Sequence, residues 1–257
     1  MNGMNDHALW WELNALFKTE MTNRGYAAVT HDNPDGAYTG CLAGAPLVHH
    51  RIVVMGINWG GDDQDANNNH TWDESYPPVS GQLLNEGESG DFGKQITGIF
   101  TRALGEHSAR EVLNREVFWT NAGLVRSHII ADAEKQLLLT AAVQPSQTVL
   151  RRMLSVVQPR LILCFGCGNN HFSPSQFVLS ELCHEAAWKT CVNPLPWYIG
   201  RSKIRRFIRR LLTPPLYDSE VEVWSFPHPA RGNGIRIENC AEAMQQLGNS
   251  IRECVGI

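Results

Sequence analysis

The sequence predicts an α/β protein of three layers, with helices on both faces of a central, mostly parallel four-stranded sheet. Two patterns predict it. Short, mainly apolar runs with β-branched residues alternate along the chain with longer segments of helical periodicity, and the clearest strand run is continuously apolar, as is typical of a sheet covered on both faces. The chain has 257 residues, 43% hydrophobic and 19% charged, which is enough to bury a core of its own.

Each predicted element rests on its own stretch of sequence. The clearest strand is Arg51-Ile-Val-Val-Met-Gly-Ile57, and three later runs have the same character. Leucines at helical spacing predict helices on either side of Pro145, which we expect to divide the segment because proline lacks the amide hydrogen of a helix interior. The predicted strands are 51–57, 116–120, 160–165 and 221–226, and the predicted helices are 133–157, 175–188 and 235–255.

The chain is predicted to form a single domain over residues 1–257. It has no internal repeat and no Pro-rich or Gly/Ser-rich linker. Residues 1–48 are expected to be a helical extension packed on that domain. Residues 60–90 form a long polar segment, and such a loop in a compact domain is usually either functional or a disordered insertion.

Charge and cysteine content exclude several classes of protein. The formal net charge is −4, so no global positive field attracts nucleic acid and any such contact must be local. The apolar runs are far shorter than the ~20 residues of a membrane-spanning helix, and Asp6 and Glu12 stand where a signal peptide has a basic start and an apolar core. Seven cysteines, an odd number, argue against a disulfide framework. We therefore expect a cytoplasmic protein without membrane contact.

Polar residues and glycines follow the predicted strands. Asn58 follows the first strand, Asn121 the second and His228 the fourth. Because ligands of open parallel sheets bind beyond the carboxyl ends of the strands, we expect these side chains to converge on one crevice. Nearby glycines let backbone amides approach a ligand. Taken alone, each of the three is as well explained by a turn.

Together, the motifs resemble the uracil-DNA glycosylase superfamily. Gly56-Ile-Asn-Trp-Gly60 is similar to its first motif, most closely to the Gly-Ile-Asn-Pro-Gly form of the mismatch-specific members. His228-Pro-Ala-Arg-Gly-Asn233 is similar to the minor-groove loop, and Phe118-Trp-Thr-Asn121 to the strand whose asparagine contacts the base. Phe92-Gly-Lys94 and Pro159-Arg-Leu-Ile-Leu-Cys-Phe-Gly166 match the stacking-ring segment and the third strand. The resemblance extends from about residue 51 to the C-terminus.

This resemblance implies a DNA glycosylase, which flips a nucleotide out and hydrolyses its N-glycosidic bond. His228 would then stabilise the departing base, Asn121 would recognise its edge and Asn58 would position water. The segment after the first motif carries carboxylates that either assist catalysis or form a solvated acidic surface: Asp62, Asp63 and Asp65. The expected catalytic residues are Asn58, His228, Asp62 and Asp63, and the expected base-binding residues are Gly56, Ile57, Trp59, Gly60, Phe92 and Asn121.

Three positions bear on which base is removed. Trp59 stands where the superfamily usually has proline, and Ala230 where it usually has serine. In members strict for uracil, a bulky side chain at the fifth position of the first motif blocks substituents on the pyrimidine C5, and here that position is Gly60. We therefore expect a C5-modified or mismatched pyrimidine as substrate, as well as or instead of uracil.

Positive charge is concentrated in one segment, Arg201–Arg210. Six of the 22 basic residues lie there, and subtracting them from the net charge of −4 leaves −10 for the rest. The apolar spacing predicts an amphipathic helix that contacts DNA phosphates, and the alternative is a solvated helix. The expected DNA-binding residues are Arg201, Lys203, Arg205, Arg206, Arg209, Arg210, Arg231 and Asn233.

A metal or cofactor is not expected. Cys164-X-X-Cys167 with Cys183, His184 and Cys191 offers ligands, but Cys164 falls inside a predicted buried strand. DNA is the expected partner, bound by a monomer. Two other functions remain open, a non-catalytic DNA-binding module of this fold and a small-molecule hydrolase or nucleotide-binding protein that shares only the architecture.

Overall fold

The computed structural model describes most of the helices and strands and part of the loops. The described residues are 6–28, 32–33, 36–38, 51–59, 90–126, 133–166, 173–175, 177–178, 197–199, 202–210, 220–227 and 237–257.

A single mixed sheet organises the described part of the chain. Its strands are β1 (Ile52–Trp59), β2 (Val117–Arg126), β3 (Leu161–Phe165), β4 (Trp197–Ile199), β5 (Ser202–Arg210) and β6 (Glu220–Phe226), in the order β2-β1-β3-β6-β5-β4. The first four strands in that order are parallel to one another. Strands β5 and β4 extend the sheet by antiparallel pairing.

Helices cover both faces of the parallel strands. The helices are α1 (Asp6–Thr22), α2 (Gly90–Leu104), α3 (Glu106–Arg115), α4 (Ala133–Val157) and α5 (Ala241–Val255), and a 3-10 turn (Ile237–Asn239) precedes α5. Side chains of α1 and α4 share one hydrophobic core with the sheet, and those of α2, α3 and α5 share the other. The prediction of a three-layer α/β/α fold around four parallel strands is confirmed.

The pleat of each strand divides its side chains between these two cores. In β1, Val53 and Met55 belong to the core with α1 and α4, which we call the α1/α4 face. Ile52 and Val54 belong to the core with α2, α3 and α5, which we call the α2/α5 face. Since both cores are buried, the paired segments Ile52–Met55 and Leu161–Phe165 are continuously apolar, as the sequence pattern indicated.

Helix α1 packs against α4, and side-chain hydrogen bonds join the two segments. The guanidinium of Arg152 donates to the carboxylate of Glu12 at 2.6 Å, and Arg24 donates to the side-chain oxygen of Gln144 at 2.8 Å. The assignment of residues 1–257 to one domain stays a prediction.

Helix α4 runs without interruption through Pro145, so the prediction of two helices there is wrong. The missing amide hydrogen costs one helical hydrogen bond. Packing offsets this loss, because α4 buries Ala142 and Val149 on either side of the proline. The next residue, Ser146, accepts a hydrogen bond from the backbone N–H of Leu124 in β2 at 3.0 Å.

The basic segment forms a strand, so the prediction of an amphipathic helix over 201–210 is wrong. Ile204, Phe207 and Ile208 fit helical spacing, but β-branched residues also favour strands, and β6 offers a continuous row of backbone partners. Elsewhere, the helix predicted at 235–255 begins at Ala241 after the 3-10 turn. Of the helix predicted at 175–188, the structure describes helical backbone at 175, 177 and 178.

Among the helices in the described ranges, none combines the length and the apolar character needed to cross a membrane.

Candidate active site at the carboxyl edge of the sheet

Four residues form a row across the parallel strands, at the carboxyl ends of β3 and β6 and further inside β1 and β2. Asn121 of β2 is in register with Gly56 of β1. Phe165 of β3 is in register with Phe226 of β6. Since Met55 pairs with Cys164, their successors Gly56 and Phe165 stand at the same level of neighbouring strands. The row therefore runs Asn121, Gly56, Phe165, Phe226 along the α2/α5 face.

Asn121 is the polar member of this row and is 4% exposed. Its neighbour on β1 is Gly56, which contributes no side chain between the asparagine and the middle of the sheet. The sequence places Asn121 beyond the end of the second strand, whereas β2 continues to Arg126. The amide is therefore held on a regular strand, which fixes its position more firmly than a loop would.

Asn58 lies on β1 two residues beyond Gly56, closer to the carboxyl edge of the sheet. Strand β1 extends to Trp59, so Asn58 belongs to the strand, and the prediction that it follows the end of the strand is wrong. It is in register with Gly123, two positions beyond Asn121 on the adjacent strand. With standard strand spacing, the Cα atoms of Asn58 and Asn121 are about 8 Å apart, and both residues belong to the α2/α5 face of the sheet. The fold thus brings together two of the three residues expected to converge.

Phe165 and Phe226, at the level of Asn121, form an aromatic floor that is buried in the core of the α2/α5 face. Their rings stack with centroids 4.8 Å apart and an interplanar angle of 10°. The ring of Trp224 continues the stack at 5.8 Å from Phe226. This pair was not predicted from the sequence, where the available signal is a phenylalanine near the end of two predicted strands.

A glycine with positive φ follows the end of β3, next to this floor. Gly166 has φ +119°, a conformation that side-chain-bearing residues rarely adopt. Its N–H donates to the carbonyl of Phe226 at 2.9 Å, and its own carbonyl accepts a hydrogen bond from Ser173.

The remaining predicted site residues fall partly or wholly outside the described part of the chain. The backbone of Ile57 and Trp59 lies in β1 and that of Phe92 in the first turn of α2, while their side chains, and that of Asn58, are outside the described residues. Several predicted residues are wholly outside: Gly60, Asp62, Asp63, Asp65, Arg201, His228, Arg231 and Asn233.

On the α1/α4 face, the same end of the sheet carries a sealed polar cluster. Ser175 and Ser225 share a hydrogen bond of 2.6 Å, and Cys164 shares one with Ser175. All three side chains are buried. Burial raises the pKa of the Cys164 thiol far above its usual range, and the bond to Ser175 opposes this only partly. Burial of Cys164 thus disfavours the thiolate form of its side chain.

Metal-ligand geometry is absent from the described ranges, where His, Cys, Asp and Glu form no group of three or more able to hold an ion. Cys167, Cys183, His184 and Cys191 lie outside those ranges. In comparisons with known proteins, no family model matches the chain, and no curated protein matches it either.

Proposed function

We propose that this protein is a DNA glycosylase that removes a pyrimidine base and leaves an abasic site. One observation carries the proposal: Asn58 and Asn121 lie on adjacent parallel strands, on one face, at the sheet edge where α/β proteins bind ligands. His228 follows the end of β6 by two residues in the sequence. The motif order that resembles the uracil-DNA glycosylases supports the same activity.

The reaction is a hydrolysis at the sugar C1′. The bond between C1′ and the base nitrogen breaks, and its electron pair leaves with the base. Water oxygen bonds to C1′, and the proton that it loses passes to the base or the solvent. Positive charge therefore builds on the sugar and negative charge on the base, and the protein must stabilise both.

His228 is assigned to the negative charge. A hydrogen bond from its imidazole to a carbonyl of the base strengthens as the bond to C1′ lengthens. One preorganised donor of this kind contributes roughly 3 kcal/mol to transition-state stabilisation. Asn58 is assigned to holding the water, because an amide orients a nucleophile without removing its proton. Asp62, Asp63 or Asp65 would accept that proton or stabilise the sugar cation.

Recognition of the flipped base is assigned to Asn121. Its amide offers one acceptor and two donors, which suits the Watson–Crick edge of a pyrimidine. Asn121 is 4% exposed, so its amide has little contact with water. A base whose edge does not match the donors and acceptor of Asn121 would leave the polar atoms of the amide unsatisfied. Phe92 is assigned to stacking on the base.

The proposed setting follows from the same features. DNA is the partner, the protein acts as a monomer without a cofactor, and the cytoplasm is its location. Removal of the base serves either base-excision repair or defence against phages with modified DNA.

Oligonucleotides that carry uracil or one of several C5-modified pyrimidines test the proposal. After incubation, alkali cleaves any abasic site, so strand breaks report base release. The Asn58→Ala/His228→Ala double variant, purified identically, controls for contaminating glycosylases. Breaks with the wild type alone support the proposal. Binding without breaks supports the non-catalytic DNA-binding module, and the absence of both supports a small-molecule function.

A further inference from the structure

Two asparagines and two glycines alternate where β1 and β2 approach the carboxyl edge. Gly56 is in register with Asn121, and Asn58 with Gly123. Counted by alternation from the residues of each strand that belong to its core, all four lie on the α2/α5 face. We call these four positions the Asn–Gly square. Its sides measure about 5 Å across the strands and about 7 Å along them, an area that one pyrimidine ring covers.

The backbone does not require glycine at either position. Neither Gly56 nor Gly123 is among the described glycines with positive φ, and both lie inside regular strands. The pairing of β1 with β2 shifts only after both glycines, between Asn58 and Trp59. Glycine weakens the interior of a strand, because it is costly to order and has no side chain to pack. Its presence there often marks the close approach of a ligand or of another backbone.

The described helices do not supply that close approach. Among them, only α3 and α4 pack broadly on β2, and none does so on β1. Helix α3 ends at Arg115, beside the start of β2, and α4 belongs to the core of the opposite face. Within these elements, the glycines accommodate no helix, which favours a bound ligand as the group that approaches them.

The side chain of Asn121 is a second, independent indication of a ligand. It is 4% exposed, and no hydrogen bond joins its amide to another residue of the described ranges. A buried amide without a partner is costly, so a ligand that supplies the partner gains affinity from it. A flipped pyrimidine offers a polar edge for such an amide and a flat face for the glycine backbone.

The two glycines differ in what lies beyond them on the sheet. Beyond Gly56, β3 places Phe165 at the same level, and its ring is fully buried in the stack with Phe226. Beyond Gly123 there is no further strand in the described sheet, because β2 is its outermost strand. The sheet therefore restricts a substituent of the base on the Gly56 side and not on the Gly123 side.

We propose that Gly123 is a specificity-determining residue, whose missing side chain makes room for a substituent at C5 of the flipped pyrimidine. The base lies on the Asn–Gly square with its Watson–Crick edge toward Asn121 and its bond to the sugar toward Asn58. Its C5 edge then lies over Gly123. Base release rests on the proposed function, whereas binding of the base to the square does not.

The relative rates of release of two bases test the proposal. Single-turnover release of uracil and of 5-hydroxymethyluracil is measured from otherwise identical oligonucleotides. The ratio of the two rates in one protein preparation does not depend on the folded fraction, so a loss of stability does not affect it. Gly123→Ala should lower the ratio of 5-hydroxymethyluracil to uracil release about tenfold or more, because one carbon in a tight pocket discriminates by that factor.

Gly56→Ala is the matched control, since it adds the same methyl group on the same face. It should slow the release of both bases equally and leave the ratio unchanged, because Gly56 lies beneath the ring. An unchanged ratio in Gly123→Ala, an equal fall in both variants, or release of uracil alone by the wild type would overturn the inference.

Free bases provide a readout that needs no catalysis. Calorimetric titration of the wild type with free 5-hydroxymethyluracil and free uracil should show binding of both, and Gly123→Ala should weaken only the former. Binding of free base without release from DNA refutes only the glycosylase. Release with an unchanged ratio in Gly123→Ala refutes only the role of Gly123.

Discussion

Asn58 and His228 divide the proposed chemistry between water and leaving group. Replacing either with alanine should lower the single-turnover rate of base release by ~10²-fold or more and leave DNA binding nearly intact. Exposed residues of the same types provide matched controls, namely Asn23→Ala and His107→Ala. Near-normal turnover in both site variants would remove these residues from the mechanism.

Thr120, next to Asn121, presents a different feature of β2. Its hydroxyl is fully buried and has no hydrogen-bond partner among the described residues. An unsatisfied buried hydroxyl is costly, whereas valine has the same shape without it. Thr120→Val should therefore raise the free energy of unfolding by about 1 kcal/mol, measured by urea denaturation.

Ser146→Ala is the control for this substitution, because its hydroxyl does have a partner, the N–H of Leu124. Losing that acceptor leaves a buried N–H unsatisfied, so the variant should lose about 1 kcal/mol or more. Equal destabilisation by Thr120→Val and Ser146→Ala would show that Thr120 contributes a hydrogen bond.

Helices α2 and α5 approach each other most closely at Gly248. A Cβ built there would lie 2.3 Å from the carbonyl oxygen of Ala103, which is backbone and cannot move aside cheaply. Gly248→Ala should therefore lower the free energy of unfolding by about 2 kcal/mol through overpacking. Chemical denaturation measures the change.

Gly98 of α2 offers the opposite case within the same pair of helices. A Cβ there would meet nothing within 4 Å, and alanine is the better helix former, so Gly98→Ala should stabilise by about 0.5–1 kcal/mol. If Gly248→Ala were as stable as Gly98→Ala, the close approach of α2 and α5 would be wrong.

Elements with a single possible burial pattern could be predicted from the sequence. The strands β1 and β3 are largely apolar on both faces, which is not expected of an exposed helix or loop. The predicted bounds of β1, β3 and β6 differ from the observed ones by two residues at most. The segment 201–210 could not be predicted in this way, because its apolar residues fit helical spacing and only pairing with β6 selects the strand.

The site could be predicted only in part, for a related reason. The residue types at the strand ends indicated an amide-lined edge. The position of Asn121 relative to β1 depends on its register with Gly56. The stacking of Phe165 on Phe226 depends on the pairing of β3 with β6. Register is a property of two strands distant in sequence, so no local pattern contains it.

At the scale of the whole molecule, the substrate class depends on space near the first motif. Gly60 has no side chain to meet a substituent on the pyrimidine C5, and the polar residues from Asp62 onward can hydrogen-bond a hydroxylated or glycosylated group. We expect release of a C5-substituted pyrimidine or mismatched thymine at a rate comparable with or above that of uracil. Release of uracil alone would defeat this expectation, and gain of C5 activity in Trp59→Pro would identify Trp59 as the block.

Mass spectrometry of free bases tests the central proposal most directly. The protein is incubated with a mixture of cellular and modified phage DNA, and small molecules are separated from the polymer before analysis. The account predicts a free pyrimidine base, absent from the Asn58→Ala/His228→Ala control, together with an equal number of abasic sites in the DNA. No free base from any of these DNAs, with the protein folded and bound to them, would contradict it.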